Sequence, residues 1–573
     1  MRLLLITLVL AGCIDDRRVV QDDPLSDPGL DALVGRVGPD AGSGPVPRPP
    51  KPPEPPPPEP PPPEPPPPEP PEPEPPPPGP DVRWRRCPEA DACAVLPMPL
   101  DHDRPRGPAI DYFVRRYDAF GTGRRQIWLI QGGPGAPGDG VADLADLFRA
   151  ADPTLTVYVP DHRGTGQSTW LGCAADPAVG ARCQRELLAT WGSAVRQFSA
   201  TQAARDLGAA IDRIRGPREE VLVWGVSYGT VLVNRYAHLF PDQADALLYD
   251  SACPGPGCDL AEWDPNFDRI GQAYLAGCAD DRACRAELGD DPVETLRGLL
   301  ASLSAGACRV GIEPPDLKAL LSFFLMDEGF RPVIVALITR LRRCDARDRQ
   351  ALAWFLETTD GIFAEGEVAP GESQAVYWNI AISELWSPAD PSPEAFEVRD
   401  AGLLFTTGSG AELARFVADW QPPAYAVDGR HRRWATPPVP MLLLNGTLDP
   451  QTPHFQLDDA VAAFTGPGQH VRFLEGGAHA VIDYPVDDGF PCGARITSAF
   501  VADPAAPLRD ACADALGSPA YALDPDLAQL LFNDGAGKRG DGGARRAAWR
   551  AHLRARFLAL PPPVRQALSR RAP

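Results

Sequence analysis

The chain is 573 residues long, 44% hydrophobic and 23% charged, with a net charge of −22. An apolar share of this size is that of a globular protein and excludes wholesale disorder. The acidic balance excludes a nucleic-acid partner, which would need a basic surface against phosphate.

The N-terminus opens with Arg2 and an apolar run over 3–10. The run is too short to span a bilayer, which takes about 20 apolar residues, and has the build of an export signal. It ends in Leu10-Ala11-Gly12-Cys13. This resembles a bacterial lipobox, which implies cleavage before Cys13, lipidation of its thiol and a membrane anchor without a span. Ile14 rather than an acid follows Cys13, which resembles outer-membrane or surface sorting where a second membrane exists. Residues 14–44 are polar and aperiodic and are expected to be disordered. Of the 70 prolines, 26 fall within 45–80, in a repeating Glu-Pro-Pro-Pro-Pro theme. Proline fixes φ and removes the amide donor, so this stretch is expected to be a polyproline II spacer of roughly 100 Å, at ~3.1 Å per residue.

The cysteines agree with export. Without Cys13 twelve remain, an even number that permits six disulfides. Sequence neighbours suggest Cys87 with Cys93, Cys173 with Cys183, Cys253 with Cys258, Cys278 with Cys284 and Cys492 with Cys512, leaving Cys308 and Cys344. Spacing alone does not fix the connectivity. No Cys-x-x-Cys pair and no His-Glu-x-x-His occurs, so neither a metal nor a cofactor is expected.

From residue 82 the composition becomes globular. Residues 109–117 alternate as a half-exposed strand. Short apolar runs follow at 127–130, 155–159, 221–224, 246–249, 441–444 and 471–474. Runs this short and continuous suit strands buried on both faces of a parallel sheet, and their alternation with helical stretches predicts an α/β domain.

The chemistry-bearing residues sit at the ends of these runs. Gly225-Val226-Ser227-Tyr228-Gly229 follows the run 221–224 and precedes a predicted helix over 230–238. A serine in such a strand–turn–helix corner is thrust into a cleft as a nucleophile. It needs a base oriented by an acid. His479 follows the run 471–474 and Asp449 follows 441–444, both at carboxyl ends of strands, where open α/β sheets place their sites. Glu475 is a rival acid and His454 a rival base, but neither follows its strand end as directly. Gln131-Gly132-Gly133-Pro134-Gly135 follows the run 127–130. A loop this rich in glycine lets a backbone N–H, assigned to Gly133, join that of Tyr228 around a developing oxyanion. Asp161-His162-Arg163-Gly164-Thr165-Gly166-Gln167-Ser168 follows 155–159, with Asp161 and Arg163 expected to brace the site.

Together, Gly-Gly-Pro-Gly, Asp-x-Arg-Gly-x-Gly-x-Ser, Gly-x-Ser-Tyr-Gly, Gly-Thr-Leu-Asp-Pro and Gly-Ala-His stand in one order over about 95–515. The set resembles the proline iminopeptidase and tripeptidyl aminopeptidase branch of the α/β-hydrolases, closest to secreted members with a TAP-like C-terminal segment. The stretch from Cys492 to Cys512 resembles that segment's paired cysteines. The resemblance implies an α/β-hydrolase core in two parts, 82–259 and 436–515, and a serine aminopeptidase acting on peptides with a free N-terminus. Gln131 departs from it, standing where iminopeptidases usually carry His and the secreted members often Pro.

Between the fourth and fifth of the six runs lie nearly two hundred residues with helical patterning at 296–303, 317–325, 333–341 and 411–420. They are expected to form a cap over 260–435 that walls the substrate channel. A desolvated substrate ammonium demands a carboxylate partner, and Glu384 resembles the cap glutamate of the family. Residues 516–573 read as a tail, with 545–557 a basic amphipathic stretch suited to anionic lipid or to packing. An esterase or lipase on the same triad is an alternative, because the fold hosts both chemistries; a surface binding protein with a relic site is another, against which the retained nucleophile, acid, base and glycine loop speak.

Overall fold

The computed structural model describes residues 82–573 except 174–177, 254–257, 364–367, 387–390, 428, 484–489, 534–541 and 572–573. The export signal with Cys13, the polar stretch and the proline-rich spacer lie outside the described residues.

Among the described residues nine strands form one sheet: β1 (Arg85–Cys87), β2 (Ala90–Pro99), β3 (Ala109–Tyr117), β4 (Arg125–Ile130), β5 (Leu155–Asp161), β6 (Glu220–Val226), β7 (Ala246–Asp250), β8 (Met441–Gly446) and β9 (Gln469–Leu474). Their spatial order is β1-β2-β3-β5-β4-β6-β7-β8-β9. The first four in that order pair antiparallel; from β5 to β9 every pair is parallel. This is the mostly parallel sheet of the α/β-hydrolase fold, with β6 near its middle.

Burial explains the continuous runs. Every residue of β5, β7 and β8 is buried. Because side chains alternate across a strand, Trp128, Ile130, Val221, Val223, Leu247 and Leu443 pack on one face. Ile127, Leu129, Leu222, Trp224, Leu248 and Leu444 pack on the other. β9 departs from the expectation: it is an edge strand, mostly half-buried. β1 and β2 carried no sequence signal, since Pro97 and Pro99 interrupt β2 and disguise it as loop.

The segment between β7 and β8 is largely helical, but its boundaries are not those of a simple cap over 260–435. Helices from Trp263–Cys278 to Ala346–Thr359 share a core of their own. The helix Gln374–Glu384 instead packs into the sheet's layer through Val376, Trp378 and Ile380. The stretch 516–573 is no free tail. Leu531, Leu553, Phe557, Val564 and Leu568 are buried in the core of the inserted helices. Leu553 and Phe557 of the helix Gly542–Leu558 therefore pack against protein, with Trp549 and Leu558 half-buried beside them. No helix among the described residues is long and apolar enough to cross a membrane.

Six disulfides are present among the described residues: Cys87–Cys93, Cys173–Cys183, Cys253–Cys258, Cys278–Cys284, Cys308–Cys344 and Cys492–Cys512. The neighbour pairing holds throughout. Such density belongs to an exported chain, because reducing compartments keep thiols open.

Candidate active site

The turn after β6 holds Ser227 at φ 56° and ψ −129°, a conformation costly for a residue with a Cβ. The flanking glycines make it sterically feasible. A Cβ on Gly225 would lie 2.6 Å from the carbonyl oxygen of Gly229, and one on Gly229 would lie 2.3 Å from that of Ile130. The corner is thus squeezed between β6, the helix Tyr228–Leu239 and the end of β4. As the first residue of that helix, Tyr228 has no intrahelical acceptor for its N–H. The N–H of Gly133 carries no hydrogen bond among the described residues, whereas that of Gly132 donates to Gln131 Oε1 at 2.7 Å. Gly133 and Tyr228 both border the same cavity as Ser227.

Asp449 and His479 are joined directly, with Nδ1 of the ring 2.8 Å from Oδ2 of the carboxylate. Asp449 is fully buried and its other bonds fix it. Oδ1 accepts the N–H groups of Gln451 at 2.8 Å and Thr452 at 3.1 Å, and Oδ2 accepts the Thr452 hydroxyl at 2.7 Å. Burial pushes this carboxyl up, but the His479 charge and the hydrogen bonds from His479 and Thr452 outweigh it and hold its pKa below the usual value. Burial pulls the imidazole down, but Asp449's charge and hydrogen bond, with the charge of Asp250, prevail and raise it. The rivals lie apart: neither Glu475 nor His454 borders the cavity. Burial and the charge of Arg269 lower His454.

The cavity encloses about 650 Å³ and takes in Ser227, His479, Gly133 and Tyr228. No hydrogen bond links the Ser227 hydroxyl to His479 among the described residues; bonds of this kind commonly tighten only once substrate is bound. Its charged wall residues besides His479 are Asp143, Asp259, Asp327, Asp483 and Arg556. Arg556 pairs with Asp327 at 2.9 Å, so the C-terminal helix Gly542–Leu558 supplies part of the wall. No cluster of three His, Cys, Asp or Glu side chains fit for a metal occurs among the described residues.

Glu384 stands elsewhere, and its expected role is corrected. Its carboxylate is buried against Arg235 Nη2 at 2.8 Å and the Tyr425 hydroxyl at 2.6 Å, away from the cavity wall. A carboxylate already neutralised by a buried guanidinium has no charge to offer an incoming ammonium; this one ties the helix after Ser227 to Gln374–Glu384. Asp161 and Arg163 brace, as expected. Asp161 accepts Arg115 and the N–H groups of Gly138 and Gln167, each at 2.7 Å. Arg163 grips Asp206 through two nitrogens at 2.7 Å and donates to the carbonyls of Pro99, Leu100 and Gln197.

Sequence reasoning missed Thr452, Arg331 and Arg556. Thr452 sits three residues after Asp449, where a hydroxyl can fold back on the carboxylate. Arg331, from the inserted helices, is buried and donates to the carbonyls of Gly476 and Leu448, in the loops that carry His479 and Asp449. No local pattern signals a contact so distant in sequence.

Residues 127–296 match the family of the alpha/beta hydrolase fold. The serine protease Hip1 of Mycobacterium tuberculosis is 26% identical over 255 residues, 38% of this chain and 48% of that protein. The tripeptidyl aminopeptidase of Streptomyces lividans is 28% identical over 225 residues, 33% of this chain and 41% of that protein. The chain thus spans less than half the length of the curated relatives it matches. Among solved structures, a proline iminopeptidase of Mycobacterium smegmatis aligns over 72% of this chain and 98% of its own, at 13% identity and a TM-score of 0.32. By its sheet order, the corner that carries Ser227 and the family matched over 127–296, this chain is an α/β-hydrolase-fold protein that resembles the tripeptidyl aminopeptidases.

Proposed function

We propose that the protein is a serine aminopeptidase that cleaves peptides from their free N-terminus, with Ser227 as nucleophile, His479 as base and Asp449 as the acid that orients it. The observation that carries this reading is the Asp449–His479 hydrogen bond on the rim of a cavity shared with Ser227. Ser227 Oγ attacks the scissile carbonyl carbon as its proton passes to His479 Nε2. The N–H groups of Gly133 and Tyr228 receive the oxyanion, each worth about 3–4 kcal/mol in the transition state. The protonated ring then gives its proton to the leaving amine, and water repeats the sequence on the acyl-enzyme.

The acidic wall supports a substrate with a free amine. Asp143, Asp259, Asp327 and Asp483 face one arginine, so the cavity favours a cation over an anion. The relatives are named as a serine protease and a tripeptidyl aminopeptidase, which supports peptides over simple esters. The lipobox-like Leu10-Ala11-Gly12-Cys13 supports an anchored chain working at a membrane face, through a lipid on Cys13.

A fluorophosphonate probe followed by a substrate panel tests this. Labelling is expected at Ser227 alone, with tripeptidyl and aminoacyl amides cleaved faster than their N-acetylated forms and faster than acyl esters. Equal rates on acetylated and free peptides would remove the N-terminal assignment. Preference for acyl esters would replace the peptidase with an esterase.

A further inference from the structure

β7 ends on Asp250, which is buried and followed by Ser251. The Asp250 backbone carbonyl accepts the N–H of Ser227 at 2.9 Å. Its side chain reaches the opposite way. Oδ1 accepts the N–H of Val481 at 2.9 Å and Oδ2 that of Ile482 at 3.1 Å. Ser251 Oγ accepts the N–H of Ala480 at 2.8 Å and donates to Asp250 Oδ1 at 3.1 Å. Three consecutive amides directly after His479 are therefore held by two residues. One of those two also holds the amide of the nucleophile. Ser251 is anchored in turn, its N–H donating to Leu444 in β8.

We propose that Asp250 and Ser251 are positioning residues that set the separation between the Ser227 corner and the His479 loop. The proposal rests on the triad reading above. The carboxylate of Asp250 does not itself serve as the triad acid, because both its oxygens are taken by backbone amides, while the ring nitrogen of His479 is taken by Asp449. It does face the imidazole electrically. The charged groups that act most on His479 are Asp449 from the loop after β8, Asp250 from the end of β7 and Arg556 from the C-terminal helix; the first two raise its pKa and the third lowers it. Burial pushes Asp250 up to about 7, against the amides of Ile482 and Val481, the His479 charge and the Ser251 hydroxyl.

The test is Asp250→Asn in the full chain, compared with wild type on a tripeptidyl amide across pH and with a fluorophosphonate. Asparagine keeps the shape but turns an NH2 toward one of the two amides, so the loop must shift. A misplacement of about 1 Å costs about 100-fold in rate. We expect kcat to fall by that factor with KM nearly unchanged. The acid limb of kcat/KM should move to lower pH, because a negative charge that favours the imidazolium is gone. A variant with wild-type kcat and an unmoved limb overturns the proposal, whatever its melting temperature. If the asparagine variant does not fold, Ser251→Ala removes the acceptor of Ala480 and the hydroxyl that donates to Asp250 Oδ1. It should lower kcat about tenfold with KM unchanged, the cost of leaving the Ala480 amide without its partner; wild-type kcat there overturns the proposal equally. A wild-type chain that the probe does not label overturns the triad reading and this inference with it.

Discussion

The sheet and the inserted helices are built on different terms, and the difference divides the labour of the site. The sheet has two apolar faces, and the groups read as reacting or positioning, Ser227, Asp250 and Asp449, stand at or just past the carboxyl ends of β6, β7 and β8. There the carboxylates of Asp250 and Asp449 are each tied by several short hydrogen bonds. The inserted helices and the C-terminal helices share one separate core. They bring to the cavity a half-buried pair, Asp327 with Arg556, whose arginine side chain is 51% exposed. Rigid chemistry thus lies on the sheet, and solvated, adjustable charge on the helices. This arrangement predicts that substitutions on the sheet change turnover, whereas substitutions on the helices change stability and selection.

The largest effects should come from the sheet. Ser227→Ala removes the nucleophile and should lower kcat by about 10⁶-fold while leaving a folded chain; a residual rate within tenfold of wild type would break the division outright. Asp449→Asn should cost about 10⁴-fold, because an amide there turns the imidazole to the wrong tautomer. Wild-type turnover depends on a neutral His479. That ring's pKa is raised by Asp449 despite burial, so activity is lost as pH falls through a midpoint above the ordinary imidazole value of about 6.5. A pH–rate profile of kcat/KM with its acid midpoint below that value would contradict the arrangement.

The same division explains what could be read from sequence. Strand ends carry chemistry because a buried parallel strand must keep its polar residues for its termini, so Ser227, Asp449 and His479 stand out after short apolar runs. Glu384 could not be placed that way. Its fate depends on Arg235, 149 residues earlier, which neutralises it, and no local pattern reveals a partner at that separation. Asp250 was hidden for the opposite reason. It ends the run 246–249 as a charge that looks like a solvated boundary, yet it is buried against backbone amides. The role of 516–573 was illegible because its apolar spacing is equally compatible with lipid, solvent or a distant core. Only tertiary contact chooses among them.

Effects on the helices should be smaller and of another kind. Phe557 is buried and meets Phe363 edge to face at 5.6 Å. Phe557→Ala should cost about 3–5 kcal/mol in chemical denaturation. Below its unfolding transition the variant should still be labelled at Ser227. Loss of labelling in the folded variant would show that the helices hold the reacting groups themselves. Asp327→Asn removes one carboxylate from the cavity wall. On free-amine peptides it should raise KM about tenfold with kcat little changed, equivalent to ~1.4 kcal/mol; an equal rise on N-acetylated substrates would show that Asp327 does not meet the amine.

The smallest effect sharpens the comparison most. Arg556 lowers the pKa of His479 through charge alone, and it does so from a half-exposed position. Arg556→Gln should therefore move the acid limb of kcat/KM to higher pH, opposite in sign to the shift expected for Asp250→Asn. Solvent screens the arginine, whereas the buried aspartate is shielded from salt. At 1 M salt the Debye length contracts to ~3 Å, so the arginine shift should vanish while the aspartate shift persists. The glutamine variant also leaves Asp327 without its partner, and an unpaired carboxylate would raise His479 as well. The double variant Asp327→Asn with Arg556→Gln separates the two. If its limb returns to the wild-type position, the shift came from the freed carboxylate; if it stays high, the guanidinium itself acts on the ring across the cavity.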